Sequence, residues 1–344
     1  MPDAPASPAA LAPLRLGPLA IDPPWGQAAL SGYSDWPMRI IAKRLGAPYT
    51  LCEVLLDQFI LNVTKGNKAR RYIQVTDEEH PCGAQLMGHD PQQFAAAALR
   101  LVAAGFDVID LNFACPVRKV LGKCRGGYLL SDPSTALEIV SRVREAIPPH
   151  VPLTVKMRRG MDDSPASQDR FYQIFDGAFA RGAVAIAVHG RSVHQKYEGL
   201  SSWQFLADVK RHAGARIVLG SGDLFTPHDC LQRLQESRVD GLLVARGAIG
   251  NPWIFTQLRA LAAGQPLPPP PTLAQQAEVI GQHYRLAEEL YGPKLCTGLM
   301  CKFGIKYSRL HPEHQKVRDA FVAARRAEDW WRVLQTWYID GRSA

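Results

Sequence analysis

The sequence predicts a (β/α)8 barrel, the TIM-barrel class, followed by a C-terminal helical domain. Three observations point there. Eight short apolar segments recur at 27–30, 49–54, 83–86, 108–111, 153–157, 185–188, 216–219 and 241–244. The later ones are nearly all apolar, as parallel strands covered on both faces must be. Amphipathic stretches such as 91–104, 133–146 and 226–236 lie between them, and beyond residue 262 only helical periodicity remains. Eight β-α units in roughly 250 residues match a barrel; a doubly wound open sheet is the other arrangement of such units.

In chain order, residues 1–20 open with MPDAPASPAALAP. This segment is rich in Pro and Ala and lacks a basic start, so it reads as a flexible tail and not a signal peptide. Residues 21–262 form the barrel, in which SDPSTALEIV and TPHDC carry Ser or Thr before Pro, a helix-start signal. Residues 263–272 contain GQPLPPPPT, a stiff extended linker. Residues 273–344 form the helical domain, with helices expected at 273–291, 294–310 and 313–335.

Composition narrows the function classes. The 344 residues are 47% hydrophobic and 21% charged, enough for a large core and wrong for a disordered chain. A net charge of +8 favours anionic partners, nucleic acid first. No apolar run approaches the ~20 residues of a membrane span. The seven cysteines form no paired CxxC sets, which predicts a cytoplasmic protein without a disulfide framework and without a metal site. A monomer is expected.

In a barrel the chemistry gathers where strands end. Strand one ends at Ser31-Gly32, strand two at Glu53, strand three at Gln85, and strand four at Asn112 and Cys115. Strand five carries Lys156, strand six ends at His189 to Arg191, strand seven at Gly220 to Asp223, and strand eight at Ala245 to Gly247. Gly220, Gly222 and Gly247 free the backbone to meet an anion and Arg246 adds charge, so the last two exits suggest a phosphate site. A buried Lys156 needs an anion. Either Glu53 pairs with it, or it faces a cofactor that becomes anionic on reduction, which suits a flavin. No GxGxxG fingerprint supports a Rossmann nicotinamide site. Cys115 is either an inert small hydrophobe or, with a thiol pKa of ~8.5, a proton donor at neutral pH. Arg118, Lys119, Lys123 and Arg125 follow it at once. From Lys294 to Arg326 eight Lys/Arg stand against two Asp/Glu, a second candidate anion-binding face.

Taken together, GYSDWPMR, KGN, AQLMG, DLNFACPVRKV, VKMRRG, HGRSVHQKYEG, GSGDLFTP and DGLLVARGAIGNPWIF resemble the dihydrouridine synthases, flavin enzymes that reduce a uracil ring in tRNA. The resemblance implies FMN as cofactor, NADPH as reductant and tRNA as partner. Cys115 would protonate uracil C5 after hydride reaches C6. Asn112 and Tyr197 would hold the base, and Arg118, Lys119, Lys302 and Lys306 the RNA. Ser31, Gln85, Lys156, His189 and Arg191 would serve the flavin; Ser221, Gly222, Asp223, Ala245 and Arg246 would cradle its phosphate. Departures from the family pattern are Ala28-Ala29-Leu30 for Ala-Pro-Met, Ala114 and Ala245 for Gly, Ser221 for Asn, and Cys124 for a loop Gly. Other readings are an enzyme acting on ribosomal or another RNA, an FMN barrel acting on a free pyrimidine in the manner of dihydroorotate dehydrogenases, and a non-catalytic RNA-binding barrel.

Overall fold

The computed structural model describes residues 11–63 and 66–341, the side chains of 67–69 excepted. Eight parallel strands close a barrel: β1 (Trp25–Gln27), β2 (Thr50–Leu56), β3 (Cys82–Met87), β4 (Val108–Phe113), β5 (Leu153–Arg158), β6 (Ala185–His189), β7 (Ile217–Ser221) and β8 (Gly241–Val244), with β8 hydrogen-bonded to β1. This is the expected TIM barrel, and every apolar segment read from the sequence overlaps a strand. The largest shift is in β1, expected at 27–30. There the Ser34 hydroxyl accepts the Leu30 N–H at 2.8 Å and draws the chain into a turn before a longer strand can form.

Helices cover the barrel's outside. Trp36–Arg44 follows β1, and Pro91–Ala103, Pro133–Ala146, Pro165–Ala180, Trp203–Ala213 and Pro227–Ser237 follow β3 to β7. Their starts are set locally. Asp35, Asp90, Asp132, Ser164, Ser202 and Thr226 each accept a first-turn N–H, satisfying donors that the helix itself leaves orphaned. In SDPS the cap is therefore Asp132, not the neighbouring Ser131.

Strand alternation divides the core in two. Outward residues such as Ile109, Val155 and Val218 pack under the helices. Inward residues Leu51, Val108, Ala187, Leu219 and Leu243 fill the lower barrel. Part of the expected tail is ordered here. Leu14–Leu16 and Leu19–Ile21 pair as an antiparallel hairpin, and Leu14, Leu16 and Ile21 join the inward cluster. A Cβ at Gly17 would lie 3.3 Å from Pro152, just before β5, so the hairpin stoppers the N-terminal end. Residues 1–10 lie outside the described residues.

After helix Ile254–Ala262, residues 264–272 carry no helix or strand. Helices Leu273–Tyr291, Pro293–Tyr307, His314–Ala323 and Ala327–Leu334 follow. The single helix expected over 313–335 is thus two. Ala324 is extended, and the Asp329 carboxylate accepts the Arg326 N–H at 3.2 Å to start the second. The break lets Trp330 pack 5.4 Å from Phe321 and 4.3 Å from Tyr284. This layer rests on the barrel through Leu290, which packs against Trp36 and Ile40. No helix among the described residues is long and apolar enough to cross a membrane.

Candidate active site

From β3 to β7 polar inward residues gather near the strand tops, and register brings them side by side. Gln85 pairs with Asp110, Asp110 with Thr154, Asn112 with Lys156, Arg158 with His189, and His189 with Ser221. A hydrogen-bond relay links them. Thr154 Oγ1 and Gln85 Nε2 both donate to the Asp110 carboxylate at 2.6 Å. Asn112 Nδ2 donates to Gln85 Oε1 at 2.7 Å, and Asn112 Oδ1 accepts the N–H groups of Ala114 (2.9 Å) and Cys115 (3.0 Å). A carboxylate accepts only, so it orients both amides in turn. Burial raises the Asp110 carboxyl, partly offset by its hydrogen bonds and by Lys156. The relay fixes the turn that presents Cys115.

Cys115 is half-buried beside the resulting cavity. Burial pushes its thiol up, against smaller pulls from the Val117 N–H and Arg158, so it carries its proton at neutral pH. A second turn braces it from behind. The Gly127 N–H donates to the Cys115 carbonyl at 3.0 Å, and a Cβ at Gly126 (φ +58°) would lie 2.8 Å from that of Cys115. Cys124, where the resemblance led to an expectation of Gly, is left-handed at φ 56°, a conformation that glycine adopts at less cost.

Lys156 points into the same cavity, and its Nζ has no hydrogen-bond partner. Burial lowers it to about 7, with Arg158 acting the same way and Asp110 opposing. The ion pair with Glu53 is not formed; Glu53 instead accepts the Gly32 N–H at 2.9 Å. Arg158 was missed as a site residue. It lines the cavity and donates to the carbonyls of Ala114 (2.9 Å), Ser192 (2.8 Å) and Lys196 (2.7 Å), tying the Cys115 turn to the β6 loop. The alternation Thr154, Lys156, Arg158 was the available signal. His189 is driven far below its ordinary range by burial and then by Lys156, Arg158, Arg191 and Arg246. It is neutral, with Nε2 facing Arg191 Nη1 at 3.3 Å.

Across the cavity, Gly222 (φ +116°) admits no side chain: a Cβ would collide with Ser201 Oγ and lie 2.7 Å from the His189 ring. Asp223 gathers its neighbours, accepting from Arg191 (2.7 Å), the Ser201 N–H (2.8 Å) and Arg246 (3.1 Å). The Arg246 guanidinium sits between the Tyr197 and Phe225 rings, 5.2 and 5.1 Å from their centroids. Both rings are exposed at the mouth.

Of the residues expected at the site, Ser31, Gln85, Asn112, Cys115, Lys156, His189, Tyr197, Ser221, Gly222, Asp223, Ala245 and Arg246 all line this one cavity. Arg191 does not. It is 3% exposed, its donors are committed to Asp223 and the Glu198 and Gly199 carbonyls, and it acts as a buttress. Arg118 and Lys119 are exposed on the short helix Arg118–Leu121 just beyond Cys115. Lys302 and Lys306, on Pro293–Tyr307, do not line the cavity. In the KGN motif, Lys65 lies outside the described residues.

The family described as dihydrouridine synthase matches residues 27–336. A probable tRNA-dihydrouridine synthase of Rickettsia conorii is 30% identical over 85% of this chain and 86% of its own. A tRNA-dihydrouridine synthase B of Xanthomonas axonopodis pv. citri is 31% identical over 95% and 96%. Among solved structures, histamine dehydrogenase from Rhizobium sp. 4-9 superposes with a TM-score of 0.56 at 16% identity, over 80% of this chain and 50% of that one, a likeness of fold alone.

Proposed function

The chain belongs to the dihydrouridine synthase family, and from that premise we propose that it reduces uridine in tRNA to 5,6-dihydrouridine, with FMN as cofactor and NADPH as reductant. The observation that carries the reading is one cavity holding both a buried, unpartnered Lys156 Nζ and the protonated thiol of Cys115.

The residues present fit FMN. An orphaned buried ammonium requires an anion or a strong acceptor, and the N1/C2=O edge of a flavin is one. The side-chain-free wall at Gly222 and the Arg246 guanidinium suit its phosphate. When bound, the flavin supplies the hydride that reaches uracil C6. Lys156 would hold its ring, with Ser31, Gln85 and His189 around it; Ser221, Gly222, Asp223, Ala245 and Arg246 would hold its phosphate.

The chain's own part is acid catalysis and positioning. Cys115 Sγ–H donates its proton to C5, and the raised thiol keeps that proton available at neutral pH. Asn112 holds the Cys115 turn, so its contribution to the base runs first through orientation. Tyr197, over half exposed at the mouth, is placed to meet a base that has left its stack. Arg118 and Lys119 beside it, with Lys306 and the exposed Arg309 further off, would meet phosphates. A free pyrimidine would have no use for these charges.

The test is Cys115→Ala. Dihydrouridine formation in tRNA should fall about 10²–10⁴-fold, while FMN content and flavin reduction by NADPH persist. Near-normal dihydrouridine formation would remove Cys115 from the chemistry.

A further inference from the structure

Resting on the flavin reading, we propose that the helical domain is part of the cofactor site: Tyr291, Lys302 and Phe303 act as positioning residues that hold the loop after β1 in the shape that lines the cavity.

That loop, residues 28–35, supplies Ala28, Ala29, Leu30 and Ser31 to the cavity wall. Internally it is a compact turn, with the Tyr33 and Ser34 N–H groups donating to the Leu30 carbonyl at 2.9 and 3.0 Å. Its tip, Gly32, is left-handed at φ +72° with open space around it, so packing does not fix it. What fixes it is a pair of opposite charges. The Glu53 carboxylate of β2 accepts the Gly32 N–H, and the Lys302 ammonium donates to the Gly32 carbonyl. One glycine is thus held at one end by the barrel and at the other by the helical domain.

Three further contacts come from the same side. Lys302 Nζ stands 5.1 Å from the Tyr33 ring centroid, and that ring meets Phe303 edge-on at 5.5 Å and 89°. Tyr291 Oη donates to Asp35 Oδ2 at 2.7 Å, while Asp35 Oδ1 caps the following helix through the Met38 N–H at 3.1 Å. The helical domain therefore grips positions 32, 33 and 35, immediately after the four that line the cavity. By its charge alone Lys302 would be counted with RNA-binding lysines; its ammonium is instead committed to the loop. Charge-assisted hydrogen bonds of this kind are strong enough to select one loop conformation, and a cofactor that needs that conformation is bound more weakly when it is not the dominant one.

The experiment measures FMN affinity of the FMN-free full chain by fluorescence quenching, and tRNA affinity of the same proteins at saturating FMN. Lys302→Met should weaken FMN about tenfold, with Lys302→Arg restoring it to within about twofold of wild type. Tyr291→Phe, a milder change, should weaken it about threefold, and serves if Lys302→Met does not fold. Lys306→Met, on the same helix but off the loop, should leave FMN affinity unchanged. Unchanged FMN affinity in both Lys302→Met and Tyr291→Phe overturns the proposal, and a fall in tRNA affinity alone would return Lys302 to the phosphate-binding set. Failure of the wild-type chain to bind FMN would sink the flavin reading as well, an outcome distinct from either.

Discussion

On the proposed flavin reading, Lys156 is the residue whose protonation would set the affinity of the site. Its ammonium is held down to about 7 by burial, yet the contact it offers a flavin requires the charged form. Below pH 6 the proton is already bound. Above pH 7 binding must take one up, so FMN affinity should fall by up to about tenfold per pH unit. Calorimetry in two buffers of different ionisation enthalpy reads that uptake directly, and affinity independent of pH between 6 and 9 would contradict it. Gly222→Ala belongs to the same scale: φ +116° and the collision with Ser201 Oγ should abolish measurable FMN retention while the chain still folds. Lys156 was legible because a lysine inside VKM has few structural excuses. Arg158 was not, because RRG reads as the start of a loop; only β5's alternation places its side chain inward. The role of Asn112 was half legible. A polar residue at a strand end announces a site, but which N–H groups its oxygen satisfies depends on the turn at Ala114 and Cys115.

At the scale of elements, the strands were legible from apolar runs, while two pieces escaped. The hairpin Leu14–Ile21 was hidden by its Pro- and Ala-rich surroundings, and its strands are three residues each. It is nonetheless part of the core. Leu16 is fully buried, and Leu16→Ala should cost about 2–5 kcal/mol in chemical denaturation; a flexible tail would show no loss. The break before Ala327 escaped because R-x-x-D is a weak helix start. The helix Trp36–Arg44 carries a pH signature at its N-cap. Burial raises Asp35 from 3.8 to about 6, against the Tyr291 and Met38 hydrogen bonds. A carboxyl raised on folding binds its proton more tightly in the folded chain. Its charge therefore opposes folding increasingly from about pH 4 to 6, and fully above that. Asp35→Asn keeps a cap oxygen without the charge. Its stability relative to wild type should climb through that window to a plateau of roughly 3 kcal/mol, and a difference flat with pH would refute the assignment.

For the whole molecule, a net charge of +8 announced an anionic partner, but charge counting could not say which cations are free. Arg118, Lys119 and Lys123 are exposed beside the cavity, whereas Lys302 is tied to Gly32. Replacing the first three with alanine should weaken tRNA binding and flatten its dependence on salt by about one slope unit per lost phosphate contact, with FMN affinity unchanged. Equal slopes would place the RNA elsewhere. The barrel's lower end, meanwhile, is corked by the hairpin, so among the described residues the cavity has its doorway at the strand tops. On the proposed function, what brings electrons and what collects them would share that doorway and take turns at it. Traffic of that kind leaves a kinetic trace: excess tRNA should slow flavin reduction by NADPH in stopped flow, and more NADPH should relieve it, as two travellers contending for one threshold.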